Sequence, residues 1–216
     1  MTERNAPPFE SRSRLLPSRS RLLFLILLLA LAVQRLLEIR LSRRHEEALV
    51  AAGGQVHGEG QYRIMTALHT GWFVAMIAEL LGRRPRFRPW LAALAAPLFL
   101  LGQALRYTAI RTLGERWTTT VVTLPGAPPV TRGIYSHVRH PNYVGVVLEL
   151  AAFPLMHSLT WTAALFSLAN LLLLRARIRL EEQVLARDSR YLSHLGDRPR
   201  FVPRAEGERQ EGRHGD

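Results

Sequence analysis

Hydrophobic residues in this chain fall into blocks, unlike the dispersed pattern of a soluble core. Residues 22–33 read LLFLILLLALAV, 64–81 read IMTALHTGWFVAMIAELL, 90–105 read WLAALAAPLFLLGQAL, and 143–174 form an apolar stretch broken near PLMHSLT. A helix crossing a bilayer core needs about 20 residues, with about 17 as a lower limit. The second and third blocks meet that length once their flanks are included, and the last is long enough for two short helices turned near residues 157–160. The pattern predicts an all-α polytopic membrane protein of about five transmembrane helices, the last two forming a C-terminal helical hairpin.

Between the blocks the chain is polar and punctuated. Arginines ahead of a short apolar run, with Ala30-Leu31-Ala32 as a small-residue site, are marks of a secretory signal. Apolar residues continue through Leu36, Leu37 and Ile39 and further blocks follow, so the expectation is an uncleaved first helix. The link from residue 38 begins as an amphipathic extension of that helix and stops at Gly53-Gly54. The stretch GRRPRFRP, 82–89, has the prolines and arginines of a headgroup-level turn. Four regions result: a disordered basic N-terminus (1–20), three N-terminal transmembrane helices (21–112), a core of polar loop, hairpin and final helix (113–203), and a disordered tail (204–216).

Charge changes the picture in two ways. The net charge is +12, and all 29 basic residues are arginines. They sit at the ends of the apolar blocks, where anionic lipid headgroups account for them, and no recognised motif accompanies them to suggest nucleic-acid binding. If every block spans, 20 of the 29 arginines share one side, which the positive-inside rule places in the cytoplasm together with the C-terminus. The expected setting is therefore the cytoplasmic membrane, with the polar clusters facing the cytoplasm. With no cysteine there is neither a disulfide nor a thiolate metal site. The histidines His45, His57 and His69 are scattered, and RRHEE lacks the spacing of His-Glu-x-x-His, so no metal site is expected.

Two polar clusters carry candidate chemistry. The first, RGIYSHVRHPNYVG (132–145), places Pro141 at a helix start, where its missing N–H costs nothing and its ring restrains His140. Tyr135, His140 and Tyr143 are then presented from a fixed loop, an arrangement that also suits headgroup anchors. The second, RARIRLEEQVLARDSRYLSHL from Arg175, leaves the last apolar block. On a helix its Arg177 and Glu181 lie about 40° apart, while Glu182 points roughly 100° away beside Arg175 and Arg179. A solvated helix end laced with ion pairs has the same pattern. A hairpin between the clusters would bring them to one face. Inside the second apolar block, His69 and Glu79 are ionisable groups at membrane depth, expected to face a polar cavity or a ligand's head. RWTTTVV, 116–122, alternates weakly like a strand or an extended loop.

Taken together, Gly133 to Tyr135, Arg139 to Gly145, a hydrophobic hairpin, Glu181-Glu182 and Tyr191 resemble the isoprenylcysteine carboxyl methyltransferase family of integral-membrane methyltransferases. The resemblance covers roughly residues 115–202, which makes 113–203 the methyltransferase core. It implies S-adenosyl-L-methionine bound in a cytoplasmic pocket and a lipophilic small-molecule or lipidated acceptor entering from the bilayer, with membrane lipids as the other partners and no nucleic acid. It also implies that Val130, Tyr135, His140, Pro141, Asn142, Tyr143 and Glu181 line the cofactor site, with 116–122 as a cover. Arg177 would orient the acceptor's carboxylate. The chain departs from the family in having ARDS, with shorter spacing, where Phe-Gly is usual between the glutamates and the tyrosine. It also has LPGAPP ahead of Val130 where the family is polar.

The chemistry is consistent with that assignment. A sulfonium and an ammonium suit a glutamate and tyrosine faces, and methyl transfer is an in-line displacement that profits from orientation and exclusion of water. A carboxylate acceptor needs no base, whereas a hydroxyl acceptor needs one within reach, for which His140 and His137 are the candidates. The leading expectation is a carboxyl O-methyltransferase most like those acting on protein S-isoprenylcysteine. The alternatives are O-methylation of long-chain polyketide phenols or alkylpyrones, N-methylation of a phospholipid, and a membrane scaffold or transporter subunit without enzymatic activity.

Overall fold

A computed structural model describes residues 19–188 and 194–203. The chain is mostly helical. Helix α1 runs Arg19–Ala51, α2 Glu59–Gly82, α3 Pro89–Leu113, α4 Pro141–Leu155 and α5 Thr160–Asp188. Two short strands, β1 (Gln55–His57) and β2 (Val121–Thr123), pair antiparallel with Val56 opposite Val122. The segments expected to be disordered lie outside the described residues, except that Arg19 and Ser20 open α1. Tyr191 of the family pattern also lies outside them.

Helices α1, α2 and α3, the last extended by a 3-10 turn to Arg116, are long and apolar enough to cross a membrane. At 1.5 Å rise per residue α1, with 33 residues, is about 50 Å long, so its second half projects beyond a hydrocarbon core of about 30 Å. Sequence predicts five crossings with the last two short, and α4 has 15 residues while the apolar part of α5 ends at Leu174, where arginines begin. Among the described residues three helices therefore meet the length.

Local signals explain the ends of the elements. After Ala51 the Gly54 amide reaches the Leu49 carbonyl and Gly53 that of Val50, with Gly53 at φ 91°. That left-handed C-terminal cap is the stop the glycine pair predicts. Helices α3 and α4 both open on proline, at Pro89 and Pro141. The turn between α4 and α5 passes through Ser158 in the left-handed region.

Phe24, Leu28 and Leu31 of α1, Trp72, Met76 and Leu80 of α2, and Val146, Leu150 and Phe153 of α4 form the buried core. Leucines such as Leu29, Leu94, Leu100 and Leu165 stay exposed, as lipid-facing positions do. Where lipid replaces water, close packing matters more than hydrophobic burial. The closest approach joins α3 to α4: a Cβ on Gly145 would lie 2.7 Å from the Gly102 carbonyl oxygen and 2.6 Å from Arg106 Cγ. The glycine that ends the first polar cluster is thus a packing residue.

Glu79 has its partners within the fold. Its carboxylate accepts hydrogen bonds from the Trp161 and Thr162 amides and the Thr162 hydroxyl, and Arg83 pairs with it. It caps the first turn of α5, where backbone N–H groups have no partner in their own helix.

Candidate active site

The site is built from α1 inward. Beyond the membrane, α1 presents Ser42, His45 and Glu46 at helical spacing on one face. Ser42 Oγ accepts from the Thr119 amide at 2.8 Å, His45 Nδ1 donates to the Trp117 carbonyl at 2.8 Å, and Glu46 accepts from the Thr120 hydroxyl. These contacts fix residues 117–120 and carry the chain into β2, so the weakly alternating stretch is an extended loop followed by a strand. The Thr119 carbonyl, held in place this way, accepts from Arg177 Nη2 at 2.9 Å.

The loop before α4 is fixed from the other side. The amides of Arg139 and His140 donate to the carbonyls of Pro199 and Arg200, at 3.0 and 2.9 Å. Arg198 Nη1 donates to the carbonyls of Thr131 and Tyr135. His140 is 3% exposed, stacks on Tyr143 with ring centres 5.5 Å apart, and has Nε2 3.0 Å from Glu182 Oε1. Pro141 is buried as the first residue of α4 and is not on a cavity wall. Its contribution is to set the direction of its neighbours.

Helix α5 supplies the facing wall. The Tyr143 hydroxyl donates to Glu181, and Arg177 Nε lies 3.4 Å from the same hydroxyl. Arg177 is 3% exposed, its Nη1 has no hydrogen-bond partner, and it forms no carboxylate pair among the described residues. Glu182, placed by the helical wheel beside Arg175 and Arg179, instead meets residues from outside its helix. Arg200 grips it through Nε at 3.0 Å and Nη2 at 2.6 Å, and Arg139 adds a contact at 3.2 Å. Burial opposes ionisation there, but the hydrogen bonds from His140 and Arg200 and the Arg139 charge bring the carboxyl down to about 2.

A cavity of about 190 Å³ opens between these walls. Val130, Tyr135, His140, Asn142, Tyr143, Arg177 and Glu181 line it, as do Thr120–Thr123. It therefore gathers the sequence-predicted site residues except Pro141 and His137. His137 is exposed, pairs with Ser136 and lines neither this cavity nor the next. A second cavity of about 390 Å³ lies among α1, α2 and α4, with Leu36, Ile39, Met65, Trp72, Phe73 and Leu150 on its wall. The two share Trp117, Thr118, Asn142, Tyr143 and Arg177.

Sequence reasoning missed a buried ionic cluster on the second cavity. Arg35 pairs with Glu38 and Glu149, and Arg106 reaches Glu38 at 2.6 Å and Glu149 at 3.3 Å. Gln103 donates to Glu149 at 2.7 Å, and Arg106 Nη1 lies 3.4 Å from Asn142 Oδ1. The available signal was Glu149 inside an apolar run, since a carboxylate at membrane depth needs a partner.

The three long apolar helices mark a membrane protein, and comparison with known proteins supplies the family. The sequence model of the isoprenylcysteine carboxyl methyltransferase family matches residues 91–187. A Bacillus subtilis relative, the uncharacterized protein YpbQ, is 35% identical over 163 residues, covering 76% of this chain and 96% of its own. An uncharacterized Haemophilus influenzae protein is 27% identical over 153 residues, covering 70% of this chain and 88% of its own. The chain belongs to the isoprenylcysteine carboxyl methyltransferase family.

Proposed function

We propose that the chain is an S-adenosylmethionine-dependent methyltransferase that crosses the cytoplasmic membrane five times and methylates an oxygen of a lipophilic acceptor drawn from the bilayer. The observation that carries this reading is the junction of a polar cavity and an apolar one at Asn142, Tyr143 and Arg177. Helix α4 and the apolar start of α5 are taken as the short fourth and fifth spans, each about 22 Å by helical rise, a mismatch that local bilayer thinning accommodates. The arginine distribution puts the polar cavity on the cytoplasmic side.

The polar cavity suits the cofactor by the chemistry of its donors. Glu181 and the Tyr143 and Tyr135 rings suit a sulfonium and an ammonium, Arg139 suits a carboxylate, and Val121, Val130 and Leu185 give apolar surface for a purine. When bound, the cofactor supplies an electrophilic methyl carbon. Arg177 holds the acceptor's oxygen at the junction, and the apolar cavity takes its hydrocarbon and keeps water away.

A buried arginine with no carboxylate partner among the described residues favours an anionic acceptor oxygen, and a prenylcysteine carboxylate is the leading candidate. An acidic hydroxyl, as in long-chain polyketide phenols or alkylpyrones, meets the same cation. A phospholipid amine brings a like charge to Arg177 and fits less well. The test is binding of S-adenosylhomocysteine to detergent-purified protein, followed by radiolabelled methyl transfer to these acceptors. Base-labile label marks an ester. Absence of binding by folded protein refutes the reading, and binding unchanged in Glu181→Gln and His140→Ala refutes the site.

A further inference from the structure

His69 is an ionisable side chain of the apolar cavity that stands apart from the ionic cluster. It lies on α2, and its ring Nδ1 donates to the Met65 carbonyl one turn earlier, at 2.8 Å. A carbonyl only accepts, so the proton of the neutral ring sits on Nδ1 and Nε2 carries a lone pair. Nε2 has no hydrogen-bond partner among the described residues, while His69 borders the cavity together with Arg35, Glu38, Arg106 and Glu149. Those four satisfy one another in a neutral quartet. Among the described residues the cavity thus offers a hydrogen-bond acceptor at His69 and, at Arg177, a cation without a carboxylate partner.

We infer that His69 is a specificity-determining residue: its Nε2 accepts a hydrogen bond from an O–H or N–H group on the acceptor's head, beside the oxygen held by Arg177. This deepens the proposed function and rests on it. The chemistry selects a head with two polar points, an anionic oxygen and a neighbouring donor, on an apolar body. A plain long-chain carboxylate has only the first. The donor has two possible sources, a second ring hydroxyl or the amide N–H of an acylated prenylcysteine, and matched pairs of compounds tell them apart. A site built to hydrogen-bond a group rejects the analogue lacking it, because its own polar atom is left unpaired.

The experiment measures affinity in detergent, with S-adenosylhomocysteine present, for a 5-alkylresorcinol against the corresponding 3-alkylphenol, and for N-acetyl-S-farnesylcysteine against S-farnesylthiopropionate. Wild-type protein is expected to prefer the donor-bearing member of one pair about tenfold, the effect of one hydrogen bond. The pair that shows the preference names the source. His69→Phe should remove the preference and His69→Gln, whose amide oxygen still accepts, should keep part of it. Both variants should bind S-adenosylhomocysteine like wild type, with His69→Leu used in place of phenylalanine if the larger ring abolishes that binding. No preference in either pair, or a preference that survives loss of the imidazole, overturns the inference. Failure of folded wild-type protein to bind S-adenosylhomocysteine refutes the proposed function instead.

Discussion

His140 Nε2 lies 3.0 Å from Glu182 Oε1, and this contact ties the loop that starts α4 to α5, with the segment at Arg198–Phe201 as the third party. Glu182→Gln leaves Arg139 and Arg200 without their carboxylate. At about 1.5–3 kcal/mol for hydrogen bonds to charged groups, the melting midpoint of the detergent-solubilised protein should fall by about 3–10 °C at pH 7. Because the folded carboxyl titrates near 2, below the ordinary 4.5, its contribution is complete above about pH 4.5 and is lost as pH falls toward 2. Melting curves of the two proteins should therefore converge over that acid range. A gap that stays constant from pH 7 to pH 2 contradicts the role given to Glu182.

Arg177 holds the junction of the cavities and is itself held by Thr119. Arg177→Ala should lower kcat/KM for an anionic acceptor by about 100-fold, equivalent to about 2.7 kcal/mol, with a smaller loss for a neutral one. Binding of S-adenosylhomocysteine should change little. Equal losses on both acceptor types, measured by label transfer, would remove Arg177 from acceptor orientation.

The α3–α4 contact gives a purely steric prediction. A methyl at Gly145 meets Arg106 Cγ at 2.6 Å and the Gly102 carbonyl at 2.7 Å, and one at Gly102 meets the Gly145 carbonyl at 2.9 Å. Gly145→Ala should destabilise the protein by about 1–3 kcal/mol, the usual range for overpacking. Because both substitutions push the same helices apart, the double variant should lose less than the sum of the single ones. Strict additivity in thermal melts would show that the two glycines do not share one contact.

Breaking the ionic quartet should cost more than removing it. Glu149→Ala leaves Arg35 and Arg106 sharing Glu38 alone, with one buried positive charge uncompensated, and should destabilise by about 3–5 kcal/mol, whereas joint replacement of Arg35, Glu38, Arg106 and Glu149 by apolar residues of similar volume should cost less. Denaturation in detergent measures both. A joint replacement worse than Glu149→Ala would show that the cluster gives more than mutual charge compensation.

Features set by local chemistry were legible in the chain: the proline start at Pro141, the glycine stop at Gly53, and the alignment of Arg177 and Glu181 on one helical face. The facing of Glu181 and Tyr143 was legible only through family resemblance, since a helical wheel describes one helix and not its neighbour. Glu182 was missed for the same reason: its angle was read correctly, but Arg200 and His140 arrive from outside α5. The hold of Ser42 and His45 on residues 117 and 119 uses side chain to backbone bonds that leave no periodic trace. Among the described residues three of the five expected spans reach the length of a bilayer crossing, and the other two divide the last apolar stretch between them and are shorter.

Helix α1 is continuous from Arg19 to Ala51, with its lipid-embedded half and the half that holds Thr119 forming one rod. A rod that answers hydrophobic mismatch by tilting carries its far end with it. The carbonyl that seats Arg177 is held by that rod, so a tilt of its apolar half would reach this site through leverage.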